Sequence, residues 1–355
     1  MIQDAGNSRP AGGGKAVAML SGGLDSTLAL KLILDQGVEV VGVNFSTGFC
    51  LTDHAQQIHR SGRDPKKLRN EALRAGGDFA IPVEIIDIAD EYLDIVKYPK
   101  HGYGKNVNPC IDCRIMMMTR AKRFMEEIGA DFVFTGEVLG QRPKSQHRRA
   151  METIAAQSGL GDRLVRPLSA KLLAPTRPER EGILDRELLM DFHGRDRKPQ
   201  ITLAEALGVT EWPQPAGGCC YLTDPNYAKV VFDLFAHEGR DEVSREDMIL
   251  CKVGRHFRVN GAKVIVGRFE EENQFLRNFG GSRARLETMD VVGPLTLIDA
   301  ELNDALVETA ARLTARYSDG KGTSKLRVRV TNNGQSWELE VEPFTPETCH
   351  EFMVR

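Results

Sequence analysis

The chain has 355 residues, of which 41% are hydrophobic and 27% charged, values that exclude collagen-like, wholly disordered and disulfide-scaffold classes. Lys and Arg total 47 against 50 Asp and Glu, so the net charge of -3 excludes a uniformly basic coat and leaves any nucleic-acid contact to a local patch. No apolar run reaches the ~18–20 residues of a spanning helix. The opening residues lack the apolar core of a signal peptide, and the odd count of seven Cys points to reduced thiols. Together these features predict two or three domains of a cytoplasmic protein with no membrane association.

Residues 1–14 read as a mobile tail. Lys15–Leu20 has the length of a strand, and Leu24, Leu28, Leu32 and Ile33 then share one face of a helix over Asp25–Gln36. Glu39–Phe45 predicts a second strand, 53–76 a polar helical stretch, and Phe79–Asp87 a third strand. Helices follow over Asp90–Lys97 and 113–128, with strands at Asp131–Glu137 and Arg163–Pro167. Strands alternating with helices imply parallel pairing with right-handed crossovers, hence a doubly wound, Rossmann-like α/β domain over 15–240. The last third differs. Ile249–Phe269 and Leu326–Val341 alternate around Asn260-Gly261 and Asn333-Gly334, both hairpin signals, with helical runs at 270–279 and 300–318 between them. A smaller α+β domain is therefore expected over 245–355, with the boundary near 236–246.

Ser21-Gly22-Gly23-Leu24-Asp25-Ser26 directly follows the first strand and opens the first helix. A helix N-terminus presents unpaired N–H groups and the positive end of its dipole, and glycines let anionic oxygens approach the backbone. Ser21 and Ser26 add hydroxyls, and Asp25 can orient Mg2+ or cap the helix. Gly12-Gly13-Gly14-Lys15 is no Walker loop, because Ala16 stands where a hydroxyl is needed and the run precedes the strand. The Ser-Gly-Gly-x-Asp-Ser motif in this position resembles the signature of the PP-loop ATP pyrophosphatases, which split ATP between the α and β phosphates and leave an adenylated substrate.

The second constellation is Cys110-Ile111-Asp112-Cys113, then Thr135-Gly136-Glu137-Val138-Leu139-Gly140-Gln141, then Gly217-Gly218-Cys219-Cys220. Two thiols three apart can hold a metal or cluster, form a disulfide or merely pack. Zinc wants four closed ligands, whereas three thiolates suit a 4Fe–4S cluster with one iron open. Cys110, Cys113 and Cys220, with Cys219 as the alternative third, are the candidate set. Cys50, Cys251 and Cys349 read as packing thiols, and no histidine pair has metal-ligand spacing.

These segments, with Arg166–Lys171 and Gly194–Gln200, resemble tRNA-thiolating PP-loop enzymes over roughly 15–235, most nearly the catalytic domain of tRNA 4-thiouridine synthases. The resemblance implies ATP and Mg2+ as cofactors, held by Ser21, Gly22, Gly23, Asp25, Ser26, Thr135 and Gly136. It also implies a 4Fe–4S cluster or a persulfide route, with Asp25, Cys113 and Cys220 catalytic. A uridine carbonyl oxygen would be adenylated and displaced by sulfur supplied as sulfide or by a cysteine desulfurase. In the usual synthase an RNA-binding region precedes the PP-loop, where this sequence has a short tail, and no rhodanese segment is expected. Residues 249–280 instead resemble an NFACT-type RNA-binding module, through Lys252-Val253-Gly254-Arg255, Val266-Gly267-Arg268 and Glu271-Glu272-Asn273.

Candidate phosphate contacts on tRNA are Arg142, Lys144, Arg148, Arg149, Arg195 and Arg197 in the first domain and Lys252, Arg255 and Arg268 in the second. His256, Arg258 and Lys263 belong to the same hairpin group. Competing readings are 2-thiouridine synthesis, sulfur insertion into a small molecule, and an amide-forming PP-loop synthetase that would need no placed cysteines. A homodimer is compatible with the sequence.

Overall fold

The computed structural model describes residues 13–50, 69–213, 220–281 and 283–354. The described residues up to Cys220 form one compact unit and those from Tyr221 onward a second. In the first, the strands are Lys15–Met19 (β1), Glu39–Ser46 (β2), Val83–Asp87 (β3), Phe132–Thr135 (β4) and Leu164–Val165 (β5). They pair in parallel in the order β3-β2-β1-β4-β5. Helices are Leu24–Leu34 (α1), Glu71–Asp78 (α2), Ala89–Lys97 (α3), Cys110–Glu127 (α4), Arg148–Gln157 (α5) and Lys198–Ala206 (α6).

A central parallel strand is covered on both faces, which explains the unbroken apolar run of β1. Ala16 and Ala18 pack with Leu24 and Leu28 of α1 and Ala204 of α6. Val17 packs the other way, with Met118, Ala121 and Met125 of α4 and Ile154 of α5. The order reverses between β1 and β4, and the crevice at such a switch point is where open α/β sheets take ligands. Both the Ser21–Ser26 loop and the Thr135–Gln141 run leave strands at that edge.

In the second unit the chain runs through Pro225–Glu238 (α7), Arg245–Leu250 (α8), Arg255–Val259 (β6), Ala262–Val266 (β7) and Glu270–Arg277 (α9). Then come Ala284–Thr288 (β8), Thr296–Asp299 (β9), Asp304–Arg316 (α10), Leu326–Asn332 (β10), Gln335–Val341 (β11) and Pro346–Phe352 (α11). The six strands form an antiparallel sheet in the order β11-β10-β8-β9-β7-β6. Leu306, Val307, Ala310 and Leu313 of α10 cover one face against Phe257, Val264, Val328 and Val330. On the other, Ile265 and Leu297 meet Leu250, Val253 and Leu276. Both hairpins turn as their sequences require, with positive φ at Asn260 and Gly261 (51° and 86°) and at Asn333 and Gly334 (47° and 79°).

The structure departs from the sequence expectations in four places. The boundary lies at 220/221 rather than near 240, because α7 is bonded into the second unit. Tyr227 Oη donates to the Met248 carbonyl (3.0 Å) and Arg258 Nε to Asp233 (2.7 Å). Helix α4 starts at Cys110 instead of 113, which puts both cysteines in its first turn. Strands β8 and β9 were not expected, and the strand expected at Arg163–Pro167 is only Leu164–Val165. The tail through residue 12, most of the 53–76 stretch and the Ala216–Cys219 run lie outside the described residues. Among those described, no helix is long and apolar enough to cross a membrane.

Candidate nucleotide and thiol site

Gly23 is the N-cap of α1 and offers no side-chain cap, so the first N–H groups of the helix are left for another acceptor. The hydroxyls of Ser21 and Ser26 lie 3.2 Å apart at its rim, and Ser26 Oγ donates to the Gly23 carbonyl at 2.9 Å. Two glycines are fixed by close approach. Gly22 has φ +71°, and a Cβ there would sit 2.2 Å from the Glu71 backbone carbon. At Gly136 a Cβ would come within 2.4 Å of Ser26 N and 2.5 Å of Asp25 C, so the loop after β4 presses directly on the start of α1. Arg74 of α2 donates to the Gly22 carbonyl at 3.2 Å, and Asn44 of β2 to that of Leu20 at 2.7 Å.

Asp25 stands in the first turn of α1. Its Oδ2 accepts from Gln141 Nε2 at 2.9 Å, while Oδ1 is buried with no hydrogen-bond partner among the described residues. Burial pushes the carboxyl above the ordinary aspartate range, opposed by the Gln141 bond and by the charges of Arg197 and Arg142. Two arginines read from the sequence as RNA contacts therefore act on the nucleotide loop. Gln141 lay in a motif without an assigned role; its place after the turn that follows β4 was the only signal for it.

Thr135 is buried at the end of β4, and its Oγ1 accepts from Glu137 N at 3.3 Å. Glu137, 2% exposed, accepts from Arg166 Nε at 3.0 Å and faces Arg114 Nε at 3.6 Å. Arg166 Nη2 also donates to the Met151 carbonyl at 3.1 Å. This ion pair braces the loop that carries Gly136, a role the sequence did not reveal.

Cys110 and Cys113 occupy the first turn of α4, where Cys113 N donates to the Pro109 carbonyl at 2.9 Å. Asp112 between them is buried and accepts from the backbone N–H of His101 (2.9 Å), with His101 Nδ1 at 2.6 Å from its other oxygen. Asn108, 2% exposed, donates from Nδ2 to Cys220 Sγ at 3.4 Å, which brings the third candidate thiol beside the start of α4. Cys220 also forms an isolated antiparallel bridge with Cys50, a residue the sequence assigned to packing. Among the described residues no three His, Cys, Asp or Glu side chains gather as a metal site, and Cys219 lies outside them. Cys251 and Cys349 are buried packing thiols, and burial pushes Cys251 up to about 12.

Lys144, Arg148, Arg149 and Arg195 are exposed on the first unit, with Arg148 Nη2 donating to the Leu172 carbonyl at 2.9 Å. The hairpin cations of the second unit differ in exposure. Lys252 is buried, its Nζ 5.9 Å from the Tyr221 ring centre. Arg255 stacks on Tyr317 at 4.5 Å, and Arg268 is bound to the buried Glu272. Lys263 is buried near Asp247 (3.6 Å), and burial holds His256 neutral by lowering it to about 3. A sheet covered on both faces leaves no open side for the alternate residues of β6 and β7. Lys252, His256 and Lys263 are thus inside the fold, Arg255 and Arg258 are half-buried, and Arg268 is exposed.

Residues 11–170 match the family model described as Thiamine biosynthesis protein (ThiI), and residues 254–353 that of the NFACT protein RNA binding domain. A tRNA-specific 2-thiouridylase MnmA of Syntrophotalea carbinolica is 33% identical over 33% of this chain and 32% of its own length. A probable tRNA sulfurtransferase of Lysinibacillus sphaericus is 26% identical over 77% of this chain and 57% of its own. A 4-thiouridine synthetase solved with RNA and bound ATP is 21% identical at a TM-score of 0.33, covering 55% of this chain and 52% of that one. The chain spans about a third of the length of the first of the curated relatives it matches. The chain thus carries one segment similar to the ThiI family model and a second similar to the NFACT RNA-binding model.

Proposed function

We propose that the protein is an ATP-dependent tRNA uridine sulfurtransferase that adenylates a uridine carbonyl oxygen and replaces it with sulfur, giving 4-thiouridine. The observation that carries this reading is the uncapped start of α1 at the β1/β4 crevice, with the unsatisfied Asp25 Oδ1 beside it and cysteines in the same unit. The match of residues 11–170 to the ThiI model and of 254–353 to an RNA-binding model supports it.

A uridine carbonyl oxygen is a poor leaving group. Its attack on the α phosphorus of ATP expels pyrophosphate and turns that oxygen into part of AMP, which a sulfur nucleophile can then displace. The first N–H groups of α1 and the Ser21 and Ser26 hydroxyls hold phosphate oxygens. Gln141 fixes the Asp25 carboxylate through Oδ2, leaving Oδ1 without a hydrogen-bond partner among the described residues. An orphaned carboxylate oxygen beside phosphates suits Mg2+, which takes one or two carboxylates together with substrate phosphates and neutralises their charge. The described thiols do not assemble a three-ligand site, so no step is assigned to a cluster. Sulfide or a cysteine desulfurase is the proposed sulfur source, and the work is done where tRNA is found, in the cytoplasm.

The relatives named 2-thiouridylase favour a second reading, attack at the other carbonyl to give 2-thiouridine. Incubation with ATP, unmodified tRNA and sulfide under anaerobic conditions tests both. AMP and pyrophosphate should form only when tRNA is present, and chromatography with mass detection of the digested nucleosides distinguishes the two isomers. Release of ADP, or tRNA left without sulfur, would refute the assignment. Iron and sulfide analysis of the active protein decides whether a cluster is used.

A further inference from the structure

Helix α4 carries more than its two cysteines. Asp112, Ile115, Met116, Thr119 and Arg123 fall at helical spacing on one stripe of it. That stripe lines a cavity of about 290 Å³ against α3, from which Ile95 and Tyr98 close the other side. From Asp112 to Arg123 the stripe spans about 16 Å at the helical rise per residue. The volume lies at the low end of the ~300–1,000 Å³ of small-molecule sites, which suits one flat ring system rather than a large cofactor.

Tyr98 is 56% exposed, yet its backbone is held firmly. Tyr98 N donates to the Asp94 carbonyl at 2.9 Å, and Tyr103 Oη donates to the Val96 carbonyl at 2.6 Å. A fixed end of α3 thus presents an aromatic ring to solvent. Ile95, Ile115 and Met116, each half-buried, make the rest of the lining apolar. The charges of the groove do not cancel. Arg120 Nε is bound to Glu91 at 3.1 Å, and Asp112 accepts from His101 N at 2.9 Å. Lys100 and Arg123, both exposed, are left without a carboxylate partner among the described residues. In a chain of net charge -3, an aromatic ring beside two uncompensated cations is a local exception.

Such a surface fits a flat base that carries anionic phosphate. We propose that the α3/α4 groove seats one unpaired nucleotide of the tRNA, with its base stacked on Tyr98 and its flanking phosphates on Lys100 and Arg123. The proposal rests on the sulfurtransferase reading for the identity of the RNA, and adds to it a docking surface on the nucleotide-binding unit. An unpaired base is required, because the bases of a duplex are already stacked and offer an aromatic side chain no free face. An acidic peptide could meet the two cations but would leave the ring and the apolar lining unused. A nucleotide seated in the groove lies against Asp112, in the turn of α4 that carries Cys110 and Cys113, and so holds the RNA close to the thiols.

Titration of the full-length protein with fluorescently labelled, unmodified tRNA in the absence of ATP tests the groove without turnover. Tyr98→Ala should weaken tRNA binding at least about five-fold, the lower limit for losing one base–aromatic stack. Tyr98→Phe should bind as the wild type does, because stacking needs no hydroxyl. Exchanging Lys100 and Arg123 together for Gln should lower the slope of log affinity against log salt by about 1.4, the value for two phosphates of a single strand. Tyr98→Ala should leave the binding of ATP and of a fully paired RNA duplex unchanged. Wild-type tRNA affinity in Tyr98→Ala, or an unaltered salt slope in the double variant, would overturn the proposal. Poly-glutamate binding that is lost with the two cations while tRNA affinity holds would overturn it in favour of an acidic protein partner. Tyr98→Phe and the double variant keep the test readable should Tyr98→Ala fail to fold. Because the titration needs no turnover, tRNA that binds through the groove but gains no sulfur counts against the sulfurtransferase reading alone.

Discussion

Replacing Asp25 by Asn should abolish adenylation while leaving the protein as stable as before, or more so. Asparagine has the same shape, and its side-chain oxygen can still accept from Gln141 Nε2, so the 2.9 Å bond survives. What disappears is a buried negative charge. Burial raises the Asp25 pKa above 3.8, and the unfolded chain has no such burial. Between 3.8 and that higher value the folded state holds a proton the unfolded state has released, so stability from this group falls as pH rises through the window. At neutral pH the carboxylate is therefore a net cost to folding, which the proposed function explains by its action on phosphate and Mg2+. Removing one preorganised electrostatic group of this kind typically lowers turnover by about 10²–10³, or roughly 3–4 kcal/mol. A shape-conserving exchange that keeps one hydrogen bond should change folding free energy by no more than about 1 kcal/mol. Pyrophosphate release with saturating ATP and tRNA reads the first quantity, and calorimetric Tm at pH 7 and again below 3.8 reads the second. Any stabilisation should shrink at the lower pH, where the wild-type carboxyl is protonated. Near-normal pyrophosphate release, or a Tm drop at pH 7 equivalent to several kcal/mol, would refute the reasoning.

Gly136→Ala drives a methyl group into the backbone of Asp25 and Ser26, so ATP binding should be lost with a destabilisation of about 1–3 kcal/mol, measured by nucleotide titration and urea unfolding. Glu137→Gln leaves Arg166 buried beside a neutral partner and should cost about 3–5 kcal/mol by chemical denaturation; a loss below 1 would show that the pair does not brace the loop. Exchanging the exposed Lys144, Arg149 and Arg195 for Gln should reduce the slope of log affinity for tRNA against log salt by about two to three units. Lys252→Gln, at a buried site, should leave that slope unchanged.

The first unit was legible because its signals are local and redundant. A buried central strand is apolar throughout, a following glycine-rich turn has one common use, and α1 repeats leucine at helical spacing. The α4 boundary failed because Pro109 fits a helix start as well as a loop. Strands β8 and β9 were missed for another reason: they are five and four residues long, and β8 carries Arg285 and Glu287 along one side. Too few apolar positions remain there to mark a period of two. The burial of Lys252 and Lys263 was not foreseen because a sequence shows alternation but not what covers each face. Gln141, Arg197 and Cys50 reach their partners Asp25 and Cys220 only through the order in which strands assemble, which no spacing along the chain encodes.

The support beneath Gly22 has an electrostatic consequence. Arg74 holds the Gly22 carbonyl, but its guanidinium is also bound by Glu71 at 2.7 Å and by Asp78, and its side chain is only 7% exposed. With one cation against two carboxylates, the brace carries no net positive charge. It fixes the shape of the nucleotide loop without drawing anions to it, so the loop's attraction for phosphate is largely dipolar, made of peptide N–H groups. Dipoles at contact range are screened far less by salt than exposed lysines and arginines reaching for an RNA backbone. Under the proposed function, tRNA and ATP should accordingly part company as ionic strength rises, with tRNA lost from the protein while ATP is still held.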